Sequence, residues 1–398
     1  MINILKYKKV YSTYDYIMLM LTIGIVAFSD IDEICLTGQF LAIIYTSYIF
    51  LKKQMLDVVS FRLIAWIIVL ATYMLTSSLW AASINRTIIS TTISFIQFGA
   101  IMCCVIEYCR KGDRINKFIS ALTLSAVVLL IRFFLSVPIG SWGTIRASLS
   151  NSIFLDNITA VSLSYIAIIV LYKLMNDTYA KNKKIIMFIL MMMIMFIVVL
   201  MGTKKGLIVF VIGLISFYLQ KSKSILHSTF RIFIISVLLA FIYYLLMNTP
   251  LLYEAIGNRI EYMLGGMNGH VTDKSTETRI LFMQSAFNEF LLNPVLGIGQ
   301  DGFRYVNPYQ FTYSHNNYTE ILCNLGTIGF FIYNYMYAYL LKISIKVSRI
   351  NIQPLVWLIV MLLLDVSFVS YESEFKALVL GLTIGMSNFI ISNEIRRN

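Results

Sequence analysis

The chain has 398 residues, of which 59% are hydrophobic and 13% charged, with a formal net charge of +12. Soluble domains carry roughly 25% charged residues, so a water-soluble core cannot absorb this much apolar surface and a polytopic membrane protein is expected. The basic excess does not point to nucleic acid, because it gathers in the short loops of one membrane side, as the positive-inside rule requires.

In chain order, Lys6, Lys8 and Lys9 precede the first apolar run; no small-residue cleavage site follows, so the first helix is read as uncleaved. Apolar runs of roughly 17–25 residues lie at about 14–30, 35–51, 61–80, 87–109, 117–138, 153–175, 185–201, 206–220, 230–247, 317–341, 354–370 and 376–393. They predict an all-α polytopic membrane protein of about twelve transmembrane helices, with both termini on one side. Most of the 32 lysines and arginines fall on that side, among them Lys52, Lys53, Arg110, Lys111, Lys181, Lys184 and Arg396. The termini are therefore expected in the cytoplasm and the polar stretch 248–316 outside. Three parts follow: helices one to nine over 1–247, a large extracytoplasmic loop with short interfacial helices over 248–316, and helices ten to twelve over 317–398.

Cations on the external face run against this trend, and Arg86, Arg146, Lys204, Lys205, Arg259, Lys274, Arg279, Arg304 and Lys376 each invite an explanation. Gly202 and Gly206 bracket Lys204–Lys205 in a tight hairpin, where small residues allow a ligand close to backbone and ammonium groups; the plain alternative is a solvated turn. Arg132 lies inside the fifth span, one to two turns from the end set by Pro138. A charge there costs on the order of 2.5–3.5 kcal/mol unless it snorkels or finds a partner.

In the loop, a short helix is expected near Leu251–Leu264. Ile280, Met283, Phe287, Phe290 and Leu291 then recur at helical spacing in Arg279–Leu292, which predicts an amphipathic helix on the membrane, stopped by Pro294. Arg279 falls in its first turn, where its guanidinium fork reaches for a phosphate. Gly297, Gly299 and Gly302 spell G-x-G-x-x-G, but no strand precedes and no helix is expected after, so a dinucleotide site is rejected. G-T-K-K-G at 202–206 is too short for a phosphate-binding P-loop. Asp30-Ile31-Asp32-Glu33 resembles a metal-holding D-x-D, though outer-loop acids are ordinarily just solvated. Cys35, Cys103, Cys104, Cys109 and Cys323 lack metal or disulfide spacing and are read as apolar fillers.

His315 stands where the loop meets the tenth span, among Ser314, Asn316, Asn317, Tyr318 and Glu320. A titratable imidazole there suggests proton transfer at the membrane surface; the alternative is a helix cap or a carbonyl donor. His227 and His270 have no comparable surroundings. Tyr305, Tyr309, Phe311 and Tyr313 offer aromatic faces for sugar stacking, or simple interfacial anchors.

Asn293-Pro294-Val295-Leu296-Gly297-Ile298-Gly299, Ser314-His315-Asn316-Asn317-Tyr318 with Glu320, and Leu325-Gly326-Thr327-Ile328-Gly329-Phe330 together resemble the motif of bacterial O-antigen polymerases and O-antigen ligases. Gly202-Thr203-Lys204-Lys205-Gly206 stands where that family has an S-R-G turn, with Lys for Arg, a point charge for a bidentate fork. Arg279 matches the arginine preceding the loop helix, and Asp156-Asn157 resembles a further element. The resemblance implies a multi-span (GT-C-like) glycosyltransferase that uses a glycan on undecaprenyl diphosphate as donor. It would need no cofactor or metal and would work in the cytoplasmic membrane beside a flippase and a chain-length regulator. On this reading His315 is the general base, while Arg279, Lys204 and Lys205 stabilise the departing diphosphate. Arg132, Asn157, Arg304, Asn316, Tyr318 and Glu320 contact substrate. The expected activity is an inverting polysaccharide polymerase joining lipid-linked repeats. A ligase moving the glycan to another acceptor is the alternative within that chemistry, and a flippase of lipid-linked sugars the alternative outside it.

Overall fold

The computed structural model describes residues 11–53, 58–142, 157–176, 181–220, 225–267, 274–309 and 311–395. Lys6, Lys8, Lys9, Arg146, Asp156, His270, Arg396 and Arg397 lie outside them. The described residues form helices and turns, with no strand, and a helix occupies each of the twelve predicted apolar runs. Among the described residues, six helices are long and apolar enough to cross a membrane. They become seven if Phe233–Asn248 and Pro250–Tyr262, bent by 93° at their junction, count as one span. This is fewer than the twelve crossings expected, and length is one reason. Thr13–Ala27, with 15 residues, reaches about 22 Å against a hydrocarbon core of about 30 Å. Gln353–Asp365, with 13 residues, is likewise apolar but short. These helices identify a multi-pass membrane protein.

The exterior is apolar, as lipid contact requires: Leu51, Leu79, Leu135, Phe61 and Phe230 all point outward. Asn157–Asn176 sits at the centre, with every residue from 159 to 171 buried, and packs on Lys181–Leu200 and Lys204–Gln220. Glu374–Ile395 packs on Ile101–Tyr108, and Thr13–Ala27 on Gly112–Ser136. The fourth run is continuous but loosens into a π-helical turn at Ser94–Ala100.

Between the ninth and tenth runs lie Asn258–Met267, Lys274–Leu292 and the four-residue Phe303–Val306. The loop helix therefore begins five residues before the expected Arg279, which moves Arg279 from the first turn to the second. Phe282 and Ala286 are its buried face, against Phe303 and Cys323, whereas Ile280, Phe287 and Leu291 stay exposed on an apolar outer face.

The helix Asn317–Ser348 is broken at Gly326, whose φ of 64° interrupts it. A break frees carbonyls before it and amides after it, and these must find partners. The N-P-V-L-G-I-G segment supplies them. The amides of Ile298 and Gly299 donate to the carbonyls of Cys323 and Asn324 at 3.0 and 2.8 Å. The amides of Thr327 and Ile328 donate to those of Pro294 and Val295 at 2.9 and 3.3 Å. Gly297 and Gly326 meet backbone to backbone: a Cβ on Gly326 would stand 2.3 Å from the Val295 carbonyl oxygen. The glycine-rich motif is thus a splint for a broken helix. A short helix does open after Gly302, contrary to expectation, but these glycines are packed against protein atoms, Gly299 against Ala81, and form no phosphate cradle. Gly326→Ala is expected to lose more than about 2 kcal/mol, from left-handed strain plus overlap. A melting curve of the purified variant unchanged from the parent would refute the splint.

Candidate functional site

His315 is fixed by the turn that precedes Asn317–Ser348. The Ser314 amide donates to Glu320 Oε2 at 2.6 Å, and its hydroxyl donates to the Asn316 carbonyl at 3.0 Å. Asn316 caps the helix, its Oδ1 accepting from the amides of Tyr318 and Thr319 at 2.9 and 3.0 Å. Between these clamps His315 is held at φ 62°, a left-handed conformation costing on the order of 1–2 kcal/mol. The cap is Asn316, so the imidazole is spared that task.

The half-buried ring stacks on Phe282 (centroids 5.9 Å apart, 11° between planes) and meets Tyr313 edge-on at 4.4 Å. Its nitrogens make no hydrogen bond among the described residues. Burial, and then the positive charges of Arg279 and Lys205, push its pKa down to about 4. The ring is therefore neutral at pH 7, with a lone pair for a proton. Arg279 is half-exposed and makes no ion pair among the described residues, so its guanidinium is open to an anion. Phe282 lies three residues beyond Arg279, on the same helix face; the expected apolar stripe passed over it.

Lys205 donates to the Ser367 carbonyl and lies 5.4 Å from the Phe368 ring centroid. The turn at residues 366–370 that receives it also receives Asn316, whose Nδ2 donates to the Val366 carbonyl at 2.8 Å. The Ser370 amide donates to Asn317 Oδ1 at 3.1 Å. Beneath the turn, Lys376 Nζ donates to both oxygens of Asp365 (2.8 and 2.6 Å), to Ser370 Oγ (2.9 Å) and to Tyr333 (3.1 Å). Two ionisable residues flanking a turn between apolar runs were the signal for this network, but their pairing is a tertiary contact.

The site thus joins His315, Arg279 and Lys205. Lys204 opens the helix Lys204–Gln220, half-buried. The bracketing glycines do not admit a ligand, because both are filled by protein: Gly202 faces the Ala255 carbonyl, and Gly206 faces Ser164 and Val198. Arg304 pairs with Asp301 at 2.7 Å, beside Arg86 on the other oxygen at 2.5 Å, and its guanidinium lies 5.8 Å from the Tyr313 ring. Arg132 has found a partner. It grips both oxygens of Asp30 at 2.9 and 2.8 Å, donates to the Ala27 carbonyl and lies over Phe28. This resolves its burial cost and commits the first acid of the D-x-D-like stretch. Asn316, Tyr318 and Glu320 spend their polar atoms inside the protein: the Tyr318 hydroxyl donates to the Leu362 carbonyl at 2.9 Å, and fully buried Glu320 also accepts from Asn324 at 3.1 Å. Asn157 opens its helix, and its side chain lies outside what is described. Tyr305, Tyr309 and Phe311 are exposed.

A multi-pass helical protein carrying a neutral imidazole between cations is the class these features define. Residues 186–333 match the family model described as O-antigen ligase, and this segment contains Lys204, Lys205, Arg279, Arg304 and His315. The match is consistent with the O-antigen polymerase and ligase family, whose members are glycosyltransferase-like enzymes handling lipid-linked glycans in the membrane. No curated protein matches the chain.

Proposed function

We propose that this protein is an inverting glycosyltransferase that joins undecaprenyl-diphosphate-linked repeat units into polysaccharide at the outer face of the cytoplasmic membrane. The observation that carries this reading is the unbonded His315 ring within charge reach of Arg279 and Lys205. A sugar hydroxyl is a poor nucleophile until its proton has somewhere to go, and the imidazole lone pair accepts it. The oxygen then attacks the anomeric carbon opposite the diphosphate, inverting it; the bond from that carbon to the diphosphate oxygen breaks, and the departing lipid diphosphate, which gains one negative charge, is stabilised by the Arg279 guanidinium and the Lys205 ammonium. Cationic side chains perform the charge stabilisation, so the chemistry needs no metal.

Donor binding also tunes the base. A diphosphate beside Arg279 and Lys205 offsets the two charges that depress the His315 pKa, so the base strengthens when the donor is present. Arg279→Ala is expected to raise KM for the lipid donor and lower kcat/KM about 10²–10³-fold, with a smaller effect on the acceptor. Unchanged donor kinetics would reduce Arg279 to an ordinary loop residue.

Elongation of defined lipid-linked repeats in proteoliposomes tests the reading directly. The matching family model is described as O-antigen ligase, and the ligase reading is equally supported by it. A deletion strain separates the two: single lipid-linked repeats accumulate if the protein is a polymerase, long lipid-linked chains if it is a ligase. A transport path would need Arg132, Glu320 and Asp365 accessible, and all three are engaged inside the protein. Translocation without elongation in the same proteoliposomes would nevertheless overturn the enzyme.

A further inference from the structure

A groove of about 600 Å³ runs between Asn157–Asn176 and Lys181–Leu200, far in sequence from the His315 turn. Leu171 and Met191 form its buried floor; Leu174, Ile185 and Phe188 form its walls. Among the described residues, the polar ones lining it are Lys181 and Lys184, both at one end and both exposed. Neither makes an ion pair or hydrogen bond among the described residues.

The dimensions fit within one leaflet. Lys181 and Met191 are ten residues apart on one helix, about 15 Å, and the apolar part from Ile185 to Met191 takes about 9 Å of that, inside the half-thickness of a hydrocarbon core of about 30 Å. A groove that is apolar in its depth and cationic at its mouth has the charge and polarity profile of an anionic phospholipid. An acyl chain fits the apolar part, and a headgroup phosphate meets the two ammonium groups. The same end carries the partial positive charge of the N-terminus of Lys181–Leu200. Basic residues bordering a membrane attract anionic lipid by about 1 kcal/mol each.

We infer that this groove is a binding site for one anionic phospholipid of the leaflet bordering Lys181 and Lys184. The inference rests on the multi-pass architecture and not on the glycosyltransferase reading. Its test uses the full-length protein carrying Phe188→Trp, reconstituted in nanodiscs of phosphatidylcholine with one lipid in ten brominated on its acyl chains. Brominated phosphatidylglycerol is expected to quench the introduced indole with an apparent affinity on the order of tenfold above brominated phosphatidylcholine. Lys181→Gln/Lys184→Gln is expected to remove that preference, with the quenching of the four native tryptophans unchanged. Equal quenching by the two lipids would overturn the site, even without the double variant. A preference that survives the double variant would overturn the role of the lysines. Relief of quenching by inorganic phosphate at millimolar concentration would show a phosphate site instead of a lipid site.

Discussion

His315→Ala is expected to lower glycan transfer by about 10²–10⁴-fold, the range a positioned general base supplies, while membrane insertion and the melting temperature stay at parental values. The separation is expected because the half-buried ring makes no hydrogen bond among the described residues, whereas Asn316 caps the helix and Glu320 secures the turn. Proton transfer, not structure, is what the substitution removes. The pH dependence adds a second signature. In the free enzyme the imidazole pKa is lowered to about 4, so its basic form predominates above that pH and is lost as pH falls through it. The acid limb of kcat/KM, which reports the free enzyme, should therefore lie near pH 4. The limb of kcat, reporting the donor complex, should lie higher, because a bound diphosphate offsets Arg279 and Lys205. Coincident limbs, or retained elongation by the alanine variant, would remove the base from the mechanism.

Lys376→Met is expected to be the most destabilising of these single changes, by about 3–5 kcal/mol, since it strands the buried Asp365 carboxylate without its cation. Asp365→Asn/Lys376→Met removes both charges and should recover much of that loss, as buried ion pairs replaced together often are neutral. Thermal unfolding of the three purified proteins measures this; a single variant melting with the parent would dismiss the pair as an anchor. The consequence reaches the site. The 366–370 turn resting on this pair receives Lys205 at Ser367 and Asn316 at Val366, so the single variant should also slow transfer beyond its loss of folded protein.

The sequence was most legible where physics is local. Hydropathy located a helix in each apolar run, because a lipid-facing segment must satisfy its backbone internally and carry apolar side chains. Run length was a poorer guide to crossings, since a break such as that at Gly326 consumes residues that hydropathy counts as span. Residue chemistry picked out His315, Arg279 and Lys205 as catalytic candidates, and the fold brings these three together. Arg132, Asn316, Tyr318 and Glu320, expected to contact substrate, have polar atoms taken up by Asp30, a helix cap, the Leu362 carbonyl and the Ser314 amide. A polar side chain at a plausible depth looks the same in sequence whether it meets a sugar or its own backbone.

Composition and hydropathy by themselves determined that the chain is helical and belongs in a membrane, and the order of its motifs determined which turn carries the imidazole. The tertiary structure alone decided what the glycines are for and which cations act on His315. Gly297 and Gly326 serve each other across a broken helix, and Lys205, over a hundred residues before His315, reaches it by way of the turn at Ser367. The reason is physical. Backbone periodicity and transfer free energy are properties of short windows, whereas charge and close packing act through space between segments whose separation the chain order does not encode.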